Sequence, residues 1–248
     1  MFIGDPYFFA GGPPGEIAKI NGKNVAIILK NGQTSIRKFC EKNNHNIRLI
    51  RNDFADWQES NKDEPYVVDV YIRDPVRRYL SALTTIKNLH DDVYGNITLP
   101  HTYPFFGEEK HMFVDPHIFP QYWTIVHSYI MCWSNDNIHF RLNDFNSIGE
   151  LVGNVHENQT VFTNRSTRRV KEFKPVYQPL NKAELDTVER RYYFDIKIHE
   201  NLLGKTLNYK ELMTYFANWV NTESPESRKG WPRWAKFIEK HHPKNFEE

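Results

Sequence analysis

Val25-Ala26-Ile27-Ile28-Leu29-Lys30-Asn31-Gly32-Gln33-Thr34-Ser35-Ile36 decides the fold class of this chain. Its first five residues are a continuous apolar run rich in β-branched side chains, the pattern of a strand covered on both faces. From Thr34 to Lys42 the apolar positions Ile36 and Phe39 fall at helical spacing. Strand, tight turn and helix therefore follow one another. The turn offers backbone N–H groups at a helix N-terminus together with Lys30, Thr34 and Ser35, which suits an anionic, phosphate-like group.

Working outward, Ile47 to Ile50 reads as a short strand, Tyr66 to Ile72 as a stronger one, and Asn137 to Leu142 as another. Helical patterns run from Pro75 to about Leu89, from Ile118 to Trp133, over Ser147 to Val152, and from Lys182 to Phe194. This alternation predicts an α/β fold of three layers, a mostly parallel central sheet flanked by helices. Residues 1–23, with the Gly11-Gly12-Pro13-Pro14-Gly15 turn, read as an irregular N-terminal arm. The α/β domain spans 24–205, and its segment 90–117, rich in Gly, Pro, His and aromatics, is a substrate-side insertion. Residues 206–248 form a helical and aromatic C-terminal extension on the same domain, ending in the Trp231-Pro232-Arg233-Trp234 cluster.

Composition excludes several classes. At 248 residues, 40% hydrophobic and 15% aromatic, the chain buries a core and is not disordered. Its 32 basic and 31 acidic residues leave a net charge of +1, so no global field draws it to nucleic acid or an anionic membrane. Cys40 and Cys132 read as buried thiols, with no zinc-ligand spacing and no metal site expected. Neither a basic leader nor a run of about 20 apolar residues is present, so no membrane span and a reducing, cytoplasmic location are expected. The Asn-x-Ser/Thr triplets at Asn96, Asn158 and Asn164 carry no weight for secretion.

A second turn, Tyr71-Ile72-Arg73-Asp74-Pro75-Val76-Arg77-Arg78-Tyr79-Leu80-Ser81, also follows an apolar run. It adds a fixed cation, Arg73, and a hydroxyl, Ser81, enough to hold a second phosphate. In open α/β sheets ligands collect at the carboxyl ends of strands, and both turns fall there. Lys30 precedes the only glycine of its turn, so the nucleoside triphosphatase spacing Gly-x-x-x-x-Gly-Lys-Ser/Thr is absent.

Taken together, the two turns resemble those of sulfotransferases that use 3′-phosphoadenosine 5′-phosphosulfate (PAPS). Arg73, Asp74, Pro75, Arg78 and Ser81 match the family's Arg-Asp-Pro-x-x-Arg-x-x-Ser turn. Asp115-Pro116-His117-Ile118-Phe119-Pro120-Gln121 is similar to the Asp-x-His-x-x-Pro-Gln segment of carbohydrate sulfotransferases. Thr163-Asn164-Arg165-Ser166 is similar to an Asn-x-Ser turn near the nucleotide, with Tyr193 and Asp195 as a following Tyr-x-Asp element. The likeness covers about residues 24–203 as scattered motifs.

The resemblance implies a three-layer fold like that of P-loop NTPases and transfer of a sulfuryl group from PAPS to an acceptor hydroxyl, on a carbohydrate, leaving PAP. Lys30 would neutralise the phosphosulfate and the charge growing on the bridging oxygen. Asn31, Gly32, Gln33, Thr34 and Ser35 would line the 5′ side, Arg73 and Ser81 the 3′-phosphate, and Asn164 to Ser166, with Arg165 or Arg168, would close over that phosphate or the adenine. Gln33 stands where the family has a small hydroxyl residue, so only its N–H carries over. His117 is the expected general base, with Asp115 orienting it or sharing the proton, and His45, His101 and His111 behind it.

Plainer readings stand beside these. Arg73-Asp74-Pro75 also reads as a helix cap, with Asp at N-cap and Pro at N1. Lys30 also suits a solvated strand end, and His117 a structural hydrogen bond. The rival functions are a nucleotide- or glycan-binding module without turnover and a small-molecule kinase. The kinase needs a metal-binding carboxylate, for which Asp69 and Asp144 are poor candidates by pattern.

Overall fold

The computed structural model describes residues 15–28, 31–60, 64–82, 120–152 and 182–222. Its strands are β1 (Glu16–Ile20), β2 (Lys23–Ala26), β3 (Ile47–Leu49), β4 (Tyr66–Ile72), β5 (Ile138–Asp144) and β6 (Thr206–Asn208). The helices among these residues are α1 (Gln33–Asn43), α2 (Ile50–Ser60), α3 (75–82), α4 (Tyr122–Met131), α5 (Ile148–Val152), α6 (Lys182–Arg191), α7 (Tyr193–Asn201) and α8 (Tyr209–Thr222). The insertion 90–117 and the aromatic tail beyond 222 lie outside the described residues.

The strands form one six-stranded sheet in the order β3-β1-β2-β4-β5-β6. It is α/β as expected, but mixed rather than mostly parallel. Pairing is parallel for β2 with β4 and β4 with β5, and antiparallel for β1 with β2, β1 with β3 and β5 with β6. The physical reason is the hairpin at the start. Asn21 and Gly22, with φ of 50° and 76°, make a left-handed two-residue turn that returns the chain onto β1. β1 therefore takes the place beside β2 that β3, running in the same direction as β2, would otherwise fill. The irregular arm expected over 1–23 is strand from Glu16, and the expected C-terminal extension starts as β6, an edge strand of the sheet.

Both faces of the sheet are covered. β2 and the residues after it alternate: Val25 and Ile27 join one apolar cluster with Ile36, Cys40, Ile148 and Leu151, whereas Ala26 and Ile28 join the other. That second, larger cluster packs Val68, Val70 and Ile72 of β4 against Phe54, Tyr122, Ile125, Phe194 and Phe216. The two-sided burial accounts for the uninterrupted apolar run in the sequence. Cys40 and Cys132 are buried free thiols in opposite clusters, and burial pushes Cys132 up to about 12. No helix among the described residues is long and apolar enough to cross a membrane.

Candidate functional site

Because β2, β4 and β5 run in parallel, the turns that follow them share one edge of the sheet. After β2 the Asn31 N–H donates to the Ile28 carbonyl at 3.1 Å, and Gly32 follows with φ 74° as N-cap of α1. A Cβ there would stand 3.2 Å from both Phe145 Cε2 and Ile148 Cδ1, so glycine is required by backbone and by space. The first intrahelical bond runs from Ile36 N–H to the Gly32 carbonyl at 3.0 Å. The N–H groups of Gln33, Thr34 and Ser35 thus precede the helical ladder. No side chain among the described residues caps α1, and its first turn holds no acidic residue. Ser35 Oγ is buried and has no hydrogen-bond partner among the described residues.

After β4 the cap reading of the second turn holds in atomic detail. Asp74 Oδ1 accepts from the Arg77 N–H at 2.7 Å, its carbonyl accepts from the Arg78 N–H at 2.9 Å, and Pro75 is the first residue of α3. Arg73 and Ser81 are half-buried. The Arg73 guanidinium carbon lies 5.4 Å from the ring centroid of Phe145, which follows β5. Phe145 thereby touches both turns, filling the space a Gly32 side chain would need while facing Arg73. Arg78, another motif position, is 1% exposed; burial lowers its pKa, while Tyr192 and Asp195 act to raise it.

The two turns are joined beneath the surface by Gln121, the last residue of the His-Pro-Gln segment, which has no exposure. Its Oε1 accepts from the Arg73 N–H at 2.8 Å and from Asn31 Nδ2, while its Nε2 donates to the Arg73 carbonyl at 2.7 Å. Asn31 Nδ2 also donates to the Tyr71 carbonyl at 2.6 Å. Asn31 is therefore an internal tie through its amide nitrogen, and its buried Oδ1 has no hydrogen-bond partner among the described residues. Asp195 holds Gln121 in turn, accepting from the N–H groups of Gln121 at 2.6 Å and Tyr122 at 2.9 Å. Burial pushes this carboxyl up to about 6, against the lowering effect of those two N–H groups and Arg78.

The structure thus brings together Asn31, Gly32, Gln33, Thr34 and Ser35 on one turn and Arg73 on the neighbouring one, with Ser81 on α3. Lys30, Asp115, His117, Asn164, Arg165 and Ser166 lie outside the described residues, as do His101 and His111. His45 stacks on Phe39 at 5.5 Å after α1. Of the two carboxylates considered for a kinase, Asp69 accepts from Asn143 Nδ2 at 2.9 Å and lies 3.5 Å from Arg141. Asp144 caps the short turn at Phe145–Ser147 through the Asn146 N–H at 2.8 Å. Sequence reasoning missed Gln121 as the hub and Phe145 as the shared wall. The Asn21-Gly22 dipeptide between apolar runs was the available signal for the missed hairpin. No protein-family model matches the chain, no curated protein matches it, and no solved structure matches it.

Proposed function

We propose that the protein is a PAPS-dependent sulfotransferase that moves a sulfuryl group to an acceptor hydroxyl, on a carbohydrate, and that β2, the Gly32 turn and α1 serve as its P-loop-like element. One observation carries the reading: the Gly32 turn and the Arg73 turn stand on adjacent parallel strands, tied through Gln121. Two anion grips on neighbouring strands suit a nucleotide with phosphate groups at both ends. The residues on the first turn fit the donor's 5′ end, since α1 presents an N-terminus with no side-chain cap among the described residues, no acidic residue in its first turn, and the buried Ser35 hydroxyl.

The donor supplies an activated sulfur whose bond to the 5′-phosphate oxygen breaks as the acceptor oxygen bonds to it. In this reading the N–H groups of Gln33, Thr34 and Ser35 bind the 5′ oxygens, and Lys30 balances charge on the departing oxygen. Arg73 and Ser81 bind the 3′-phosphate, and Asn164, Arg165 and Ser166 cover it. His117, oriented by Asp115, takes the acceptor hydroxyl proton, a role that contributes about 10²- to 10⁴-fold in rate. The internal hydrogen bonds of Asp69 and the capping bond of Asp144 favour this chemistry over a kinase that would need them as ligands.

A thermal-shift comparison tests it. Adenosine 3′,5′-bisphosphate should raise the midpoint more than AMP, ADP or ATP at equal concentration, because a ligand stabilises by mass action the more tightly it binds. R73A should erase that preference, and H117A should abolish transfer while keeping nucleotide binding. Equal shifts with ATP and the bisphosphate would overturn the sulfotransferase reading in favour of the kinase. Wild-type protein that binds the bisphosphate yet never transfers would instead support the binding module.

A further inference from the structure

We propose that Gln121 is a positioning residue that locks the Gly32 turn and the Arg73 turn into one rigid unit, presetting the separation of two anion grips before any ligand arrives. The inference rests on the sulfotransferase reading for the identity of the ligand, and on geometry for the lock itself. The carboxamide pairs with Arg73 in both directions, accepting from its N–H and donating to its carbonyl, as a neighbouring strand would. The same Oε1 accepts from Asn31, whose Nδ2 reaches the Tyr71 carbonyl as well. One planar group thus fixes the backbone after β4 and the side chain that starts the turn after β2.

The lock is itself held. The Asp195 carboxylate grips two successive backbone N–H groups, those of Gln121 and Tyr122, so the start of α4 cannot swing away without exposing both donors. Arg78, buried on α3, stands within electrostatic reach of Asp195. The hydrogen-bonded path runs from Asp195 on α7 through the start of α4 to both turns.

Glutamine offers an acceptor and a donor on one planar group, as this site asks. Ionised glutamate lacks the donor for the Arg73 carbonyl, asparagine is shorter by a methylene, and leucine leaves buried backbone groups without partners. A rigid pair of grips binds a two-ended ligand with less ordering cost than two independently mobile ones. A ligand that occupies one grip gains nothing from the lock.

The test uses the full chain as wild type, Q121L and the near-isosteric Q121E. Each is titrated calorimetrically with adenosine 3′,5′-bisphosphate, 5′-AMP and 3′-AMP, and amide hydrogen exchange is followed without ligand over 31–36 and 71–74. In both variants bisphosphate affinity should fall at least about tenfold, with each monophosphate changing less than about twofold. Exchange should quicken at both turns together. Bisphosphate and monophosphates weakening alike, or exchange quickening at one turn alone, would overturn the lock. If Q121L does not fold, Q121E is read in the same assays against the same criteria. Wild-type protein that prefers the bisphosphate to neither monophosphate refutes the sulfotransferase reading, and the exchange comparison still decides the lock.

Discussion

Replacing Gly32 by alanine separates two costs that the structure stacks on one residue. Its φ of 74° lies in the left-handed region, which costs an L residue about 1–2 kcal/mol. The added Cβ would also stand 3.2 Å from Phe145 Cε2 and Ile148 Cδ1, so that half-buried ring and buried methyl must give way, at about 1 kcal/mol, the low end for overpacking. G32A should therefore lose about 2–3 kcal/mol, a fall in melting temperature of about 4–12 °C for a chain of this size. Gly204 is the internal control: its φ is 84°, but a Cβ there meets nothing within 4 Å. G204A should lose only the backbone part, about 1–2 kcal/mol. Urea unfolding of both variants, with unchanged slope, reads the difference. The steric part should also appear as coupling in a double-mutant cycle with F145L, the leucine relieving the clash at Cε2. Equal losses in G32A and G204A, or a strictly additive cycle, would refute the claim that Phe145 packs against the turn.

Two further outcomes follow from the same edge of the sheet. D74A should cost about 1 kcal/mol in urea unfolding by removing the acceptor for the Arg77 N–H, and D74S should restore most of it; equal stability of all three proteins would mean the cap contributes nothing. Asp195, pushed up to about 6 from an ordinary 3.8, takes up its proton in the folded state before the unfolded one. Its contribution to stability therefore improves as pH falls from about 6 toward about 4 and is least favourable, and constant, above that window. D195N should flatten this part of the stability profile, and a profile unchanged by D195N would show that burial does not govern the carboxyl.

Much of the fold was legible because its signals are local. The run from Val25 to Leu29 announced a doubly covered strand, and its described side chains, Val25 to Ile28, do alternate between the two cores. The Asp74-Pro75 cap was legible for the same reason, since both partners lie within one helical turn. Strand pairing was not. The order strand–helix–strand from β2 through β3 to β4 is that of parallel crossover units, and those strands do run the same way. Which strand occupies the slot beside β2 depends on a two-residue turn upstream. A close hairpin partner forms with little loop-closure cost, so β1 claims that slot before a strand that must return across a helix.

The site divides along the same line. Residues that face a ligand belong to motifs, because chemistry fixes their type and their spacing after a strand end. Residues that hold the motifs in place need only reach a backbone atom. Gln121 bonds to Arg73 across 48 positions of sequence, and Asp195 bonds to Gln121 across 74. Backbone N–H and carbonyl groups are the same at every residue, so such a contact leaves no complementary side chain by which to find it. What it does leave is burial of a polar side chain: Asn31, Gln121 and Asp195 are all at most 2% exposed, and all three take part in the hydrogen-bonded path joining the two turns. A buried carboxamide or carboxylate without a partner would cost about 1–3 kcal/mol. Three such groups clustered at one sheet edge hold the positions of the two turns, and the place to look for function is the surface directly above them.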